Sequence, residues 1–430
     1  NTESRSKYPA MCQDRRGWLH VVYEDVATGD CDIYYQYYDG TTWSDTLNIS
    51  HDSTTSWGPD VEVDTLNRVH VVWFDYYTGR VMWSMKDSTG WTIPVSISDS
   101  VPYPCQGTEV DVSPVTNYIH CVWHNLGDDE IWHAFYDGSS WSIPENVTQD
   151  SNDDAWPDVA VDAPGRVHLV WKDYGLNDIF YSVKDSSWST PVNISNLTGQ
   201  SCDPRIAIDN NNNPRVVWQE RDNGYEVYYT YFDGSIWNNP IFICETISST
   251  PNISIDKINK SHIAWTHANA SNDIFYQTFT DSMPEDSIEN VTNNTGDTLA
   301  SRGLIAVDSD YVHIVWSQSL EGMSSSANWD IFYTGKQLSG VEEKSEETSI
   351  EIPDICYGRL SFSYSLKKPA PVILKVYDIT GRLIKSETIG YRTPGTYNLN
   401  MKVNFPDGIY FSVLKAGNQR FSDRFILLNP

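Results

Sequence analysis

Residues 157–195 read Pro157-Asp-Val-Ala-Val-Asp162, Val167-His-Leu-Val-Trp171, Asp178-Ile-Phe-Tyr181 and Trp188-Ser-Thr-Pro191-Val-Asn193-Ile-Ser195. Short apolar segments bounded by Asp, Asn, Gly or Pro are the grammar of antiparallel strands. The same phrase recurs through residues 8–334. Its anchor after the second segment falls at Tyr23, Trp73, Trp123, Trp171, Trp218, Trp265 and Trp316, a spacing of 47–51 residues. Seven such units at that period, four strands in each except the seventh, which ends at Asp330-Ile-Phe-Tyr333-Thr334 one strand short, predict a seven-bladed β-propeller. Segments such as Val69-His-Val-Val-Trp73 are apolar on both faces, as a sheet sandwiched between two neighbours requires. No window carries helical spacing, so the chain reads as all-β.

Composition divides the 430 residues near position 340. All 17 Trp lie before it, the last at Trp329. Residues 341–430 hold 12 of the 29 Lys+Arg and 10 of the 58 Asp+Glu, which leaves 17 and 48 upstream. The repeat region is therefore strongly acidic and the tail slightly basic. The expected organisation is a propeller over 1–337, a linker over 338–350 rich in Glu and Ser, and an Ig-like β-sandwich over 351–430, where short alternating runs such as Val372-Ile-Leu-Lys-Val-Tyr377 return.

An acidic surface repels phosphate backbones, so no nucleic acid and no anionic lipid is expected as a partner of the repeats. No apolar run reaches the roughly 18 residues of a membrane span, and the polar start Asn1-Thr-Glu-Ser-Arg-Ser6 is not a signal peptide. Of seven cysteines, Cys12 with Cys31 and Cys105 with Cys121 are spaced to bridge adjacent strands in an oxidising compartment, or to serve as small buried hydrophobes. No Cys-x-x-Cys exists, so no structural zinc is expected.

His recurs in the second strand at His20, His70, His120, His168, His262 and His313, with Arg215 in the remaining repeat. Asp recurs at the first hairpin at Asp14, Asp64, Asp162, Asp209, Asp256 and Asp308. Catalysis needs one constellation, not six equivalent ones, so these residues read as a scaffold network in which Asp caps its turn and His satisfies buried groups. Asn48-Ile-Ser, Asn146-Val-Thr, Asn193-Ile-Ser and Asn290-Val-Thr match the glycosylation acceptor pattern. Their recurrence at one blade position points first to strand-end hydrogen bonding.

Function is then expected where the repeat breaks, on the face made by the loops between strands two and three and between blades. The candidate binding residues there are Asp52, Trp57, Tyr76, Tyr103, Asp153, Asp154, Trp156, Tyr174 and Trp329. Aromatic rings stack on sugar faces while carboxylates accept hydroxyl hydrogens, so the ligand expected is a glycan or a surface protein. Asp128-Asp129-Glu130 and Asp153-Asp154 are the only candidates for a cofactor, calcium, and neither has the spacing of a calcium loop. Arg205 and Arg302 occupy equivalent inner strands, two arginines where a sialidase uses three. No Gly-x-Ser-x-Gly elbow activates a serine.

The turns Asp39-Gly40-Thr-Thr-Trp43, Asp137-Gly138-Ser-Ser-Trp141 and Asp233-Gly234-Ser-Ile-Trp237 resemble the Asp-box turn of sialidase-like propellers. That resemblance implies the fold and says little about chemistry. Val376-Tyr377-Asp378 followed by Gly381-Arg382, with Gly408-Ile-Tyr-Phe411 before a closing strand, resembles the C-terminal domain used for type IX secretion. The resemblance implies export to the cell surface or medium. The role expected is noncatalytic recognition or adhesion. The alternatives are a structural subunit of an extracellular filament or surface layer, self-assembled through the last blade or the tail, and a glycan-cleaving enzyme of sialidase-like type.

Overall fold

The computed structural model describes residues 5–338 except 28, 52–53, 102–103, 222–223, 245–247, 269–271, 295–297, 309 and 320–328. It also describes 348–428 except 352–354, 358, 367–369, 379–381, 394, 403–404 and 417–418. The chain forms two compact units, Asn1–Leu338 and Ser339–Pro430.

The first unit is a seven-bladed β-propeller. In the fourth blade Asp154–Val161, Val167–Asp173, Asp178–Lys184 and Val192–Asn193 pair antiparallel in chain order, and the other blades repeat this. The seventh holds three strands among the described residues, Leu299–Val307, Tyr311–Ser319 and Trp329–Gln337. Second strands are buried on both faces because each sheet is covered on both sides, and Trp73, Trp123, Trp171, Trp218 and Trp265 lose nearly all contact with solvent.

Neighbouring blades meet through the Trp of the third-to-fourth-strand turn. Trp91 packs edge-on to Tyr35 of the preceding blade at 5.0 Å, Trp141 to Trp83 at 5.5 Å and Trp237 to Tyr181 at 4.9 Å. Trp43 of the first blade meets Tyr333 of the seventh in the same way at 5.5 Å, so the ring closes with the geometry it uses elsewhere. Gln13 adds a hydrogen bond to Asp308 across that seam at 2.9 Å.

The repeated polar residues form a buried relay. Asp162 accepts hydrogen bonds from the Arg166 backbone (2.7 Å) and lies 3.2 Å from His168 Nε2, whose Nδ1 is 2.8 Å from the Tyr181 hydroxyl. Asp14–His20–Tyr35 and Asp256–His262–Tyr276 repeat it, and Arg215 bridges Asp209 and Tyr229 where the His is replaced. The Asn-x-Ser/Thr phrase is strand-end bonding: Asn193 and Ser195 both donate to Asp178, and Asn290 and Thr292 to Asp273. In the fourth blade the relay partners both ring nitrogens of its His, so removing one member is costly. Asp162→Ala is expected to lower stability by about 2–3 kcal/mol, read from the urea midpoint, because buried His168 Nε2 and the part-buried Arg166 N–H and Nε–H lose their acceptor.

Two expectations are corrected here. Cys12, Cys31 and Cys121 are free thiols, so neither proposed disulfide forms. Burial raises the pKa of Cys12 and Cys121 well above the ordinary thiol value. Residues 348–350, expected to belong to a linker over 338–350, lie in the strand Thr348–Glu351, which pairs with Ser363–Leu366; 339–347 lie outside the described residues.

The described residues of the second unit form two sheets. Thr348–Glu351, Arg359–Leu366 and Gly395–Lys402 form one; Ile355–Tyr357, Gln419–Leu428, Gly408–Ala416, Ala370–Asp378 and Leu383–Arg392 form the other. Leu360, Tyr364 and Leu366 of the first pack on Val372, Leu374, Val376, Leu414 and Leu427 of the second, the core of an Ig-like sandwich.

Candidate functional site

All seven inner strands of the propeller line one cavity of about 1160 Å³. Each has a β-bulge at the same point, seen as a register shift against its second strand at Lys7/Ala10, Trp57/Asp60, Gln106/Glu109, Ala155/Asp158, Cys202/Arg205, Ser249/Asn252 and Ser301/Leu304. The bulge holds one residue per blade in the left-handed region: Tyr8 (φ 50°), Gly58 (58°), Gly107 (61°), Trp156 (54°), Asp203 (52°), Thr250 (49°) and Arg302 (55°). Every one of them lines the cavity. Side chains rarely adopt this backbone, so five non-glycine residues held there mark positions the fold imposes.

Two residues further along each strand lies an inner layer. Asp60 accepts the Val110 N–H at 2.8 Å, Asp158 the Ile206 N–H at 2.7 Å and Asn252 the Ile305 N–H at 3.1 Å, so these side chains staple one inner strand to the next. Arg205 is ion-paired with Glu109 and lies 3.6 Å from Asp158. Burial pushes Asp158 and Asp111 up to about 7 and Glu62 up to about 8. Glu62 therefore binds a proton in the folded protein that it releases on unfolding between about pH 4.5 and 8, and its contribution to stability falls as pH rises through that window. Glu62→Gln is expected to melt at the wild-type temperature near about pH 4 and above it near about pH 9.

The cavity also gathers cations. Arg5, Lys7, Arg205, Arg221 and Arg302 line the cavity, five of the 17 cations of the repeat region. Arg205 is neutralised by its carboxylates and Arg221 lies 3.8 Å from Asp203. Arg302 differs. Its guanidinium lies over the Tyr8 ring, 4.2 Å from the centroid, and makes no ion pair among the described residues. Burial lowers its pKa. Glu24, also on the cavity wall, is buried in the second strand of the first blade and accepts the Gly58 N–H at 2.7 Å. Burial pushes its carboxyl up to about 7, against the opposing pull of that N–H and of the Arg302 and Lys7 charges. The cavity wall thus holds, among the described residues, an arginine without an ion pair and a carboxyl that exchanges its proton near neutrality.

Of the residues expected from sequence, Trp57 and Trp156 lie on the cavity wall, each about 41% exposed. Each is backed by a tyrosine: Trp57 lies 4.8 Å from Tyr76, and Trp156 donates its indole N–H to the Tyr174 hydroxyl at 3.1 Å. Trp329 lies under the Lys7 ammonium at 4.6 Å. Asp153 is exposed; Asp154 is buried and accepts the Trp171 indole N–H at 3.0 Å, so it belongs to the packing of its blade. Asp52 and Tyr103 lie outside the described residues. Among the described residues no group of three His, Cys, Asp or Glu is placed to hold a metal. Sequence reasoning singles out Arg302 and Arg205 without assembling them, and misses Tyr8 and Glu24. A usable signal is present: the bulge residue stands six positions before each hairpin Asp, or before Ser113 in the third blade, and it is Tyr, Gly, Gly, Trp, Asp, Thr or Arg where its surroundings repeat.

Comparison with known proteins separates the two units. Residues 358–428 match the secretion system C-terminal sorting domain, and the protein is exported to the cell surface or medium. No curated protein matches the chain. The fold is similar to that of a polysaccharide lyase of family 25, an ulvan lyase, at TM-score 0.57 and 8% identity over 77% of this chain and 94% of that one. The same lyase bound to -[GlcA(1-4)Rha3S]- aligns at TM-score 0.55 and 9% identity, over 77% and 94%. A protein of unknown function from Dyadobacter fermentans DSM 18053 aligns at TM-score 0.51 and 8% identity, over 78% and 95%. At such identities the likeness is one of fold. It corrects the expectation of a noncatalytic protein: enzymes are built on this propeller, so its repetition gives no ground for excluding catalysis.

Proposed function

We propose that the protein is a secreted enzyme that cleaves an acidic polysaccharide by β-elimination in the propeller cavity. The observation that carries this reading is the Arg302 guanidinium at the mouth, without an ion pair among the described residues, with Glu24 on the same wall. A uronate C5–H becomes acidic enough to remove only when the neighbouring carboxylate is neutralised, and Arg302 holds its charge free for that carboxylate. Glu24, its proton affinity tuned near neutrality by burial, accepts the C5 proton. The electrons form the C4–C5 double bond as the C4–O4 bond breaks, and the hydroxyl of Tyr8, whose ring lies under Arg302, gives a proton to the departing oxygen. No water is consumed. Trp57 and Trp156 serve as stacking platforms for the sugars on either side. The fold likeness to an ulvan lyase supports this reading over hydrolysis.

The test uses the full chain with polygalacturonate, alginate, hyaluronan and the sulfated glucuronate–rhamnose polymer. Elimination is expected to give ultraviolet absorbance from the new unsaturated carboxylate in step with new reducing ends on at least one of them. Reducing ends without absorbance would replace elimination by hydrolysis; neither signal on any polymer would refute the reading.

A further inference from the structure

The ring of seven bulge positions is uneven in size, and the unevenness has a direction. Tyr8, Trp156 and Arg302 raise bulky side chains into the mouth, whereas the adjacent second and third blades present Gly58 and Gly107. Left-handed backbone favours glycine, but five other blades hold a side chain at the same φ, so the conformation alone does not demand it. Nor does space: a Cβ on Gly58 would meet nothing within 4 Å, and one on Gly107 would meet only Pro157 Cδ at 3.8 Å. Among the described residues, the second and third blades therefore present no bulge side chain, with Trp57 just before Gly58 and Trp156 at the bulge of the fourth blade. Resting on the proposed elimination, we infer that Gly58 and Gly107 form an open lane through which a polysaccharide chain continues beyond the mouth, so that the enzyme cuts within chains rather than at their ends.

A site for chain ends needs a wall against the terminal sugar; a site for internal bonds needs an exit on each side. The Trp57–Tyr76 and Trp156–Tyr174 pairs belong to the second and fourth blades, with the third between them, and supply two stacking surfaces for a chain crossing the mouth. The lane lies in the part of the ring free of bulge side chains, and Glu24 abuts it through its bond to the Gly58 N–H.

Gly107→Tyr is the blocking variant, with Gly107→Ala imposing the same backbone on a side chain too small to block. On whichever polymer of the panel the wild type cleaves, early products resolved by size-exclusion chromatography are expected to be of intermediate length. Gly107→Tyr is expected to lose at least tenfold in rate on polymer while keeping its rate on a tetrasaccharide of the same repeat, and Gly107→Ala to stay within threefold on both. Release of terminal units from the start, equal losses on polymer and tetrasaccharide, or Gly107→Ala as impaired as Gly107→Tyr would overturn the lane. Should the wild type cleave no polymer, electrophoresis through gels containing each polymer separates the two claims. Retardation of wild type but not of Gly107→Tyr upholds the lane while the catalytic reading falls, and equal or absent retardation removes both.

Discussion

Arg302→Ala is expected to lower kcat/KM on the acidic polysaccharide by about 10²–10³, the scale found when a preorganised charge partner of a developing anion is removed. The loss follows from a contrast within the cavity. Arg205 lines the same cavity, but its charge is spent on Glu109 and Asp158. Arg302 has the Tyr8 ring beside it and no ion pair among the described residues, so its charge is available to a substrate. For the same reason its removal is expected to leave the melting temperature unchanged or slightly raised. Arg302→Lys restores a charge without the planar fork and is expected to recover part of the rate, mainly through KM. An Arg302→Ala variant that melts normally and retains full activity would remove this residue from the reaction.

Glu24→Gln is expected to reduce kcat by about 10²–10⁴, the range ascribed to a positioned proton-transfer group, and to erase a limb of the pH profile. In the wild type the carboxyl is raised to about 7 by burial, so the acceptor form grows as pH rises through neutrality. Activity that depends on it rises over the same interval and levels above it. The amide keeps the shape and can still accept the Gly58 N–H, but it cannot take a proton. A rate profile measured from about pH 5 to 9 that keeps its rising limb in Glu24→Gln would assign that limb to another group.

The aromatic half of the site is legible in the chain, and the charged half is not. Trp57, Tyr76, Trp156 and Tyr174 stand out as aromatic residues at breaks in the repeat, and the fold places them in two backed pairs at the mouth. Asp154 looks equivalent to Asp153, yet it faces inward to Trp171, because successive strand residues face opposite sides and the local register decides which is buried. Glu24 carries no signal of its own: a Glu at the end of a strand in an acidic chain is ordinary until its burial and neighbours are known. Tyr8 reads only as the start of an inner strand. The cysteine spacings suit two bridges that burial and strand geometry do not make.

The order of residues alone settles the number of blades, the succession of strands within each, the recurrence of Asp and His as scaffold and the sandwich that follows. These repeat, and repetition turns weak local preferences into a strong signal. It settles the sorting tail too, whose motifs are contiguous. Which side chains meet is settled by packing across the ring. The cavity collects one bulge residue from each of seven segments some 50 positions apart, and its charge balance depends on which arginine finds a carboxylate on another blade. Proximity of that kind is created by closing the ring, and no stretch of chain short enough to be read as a motif contains it.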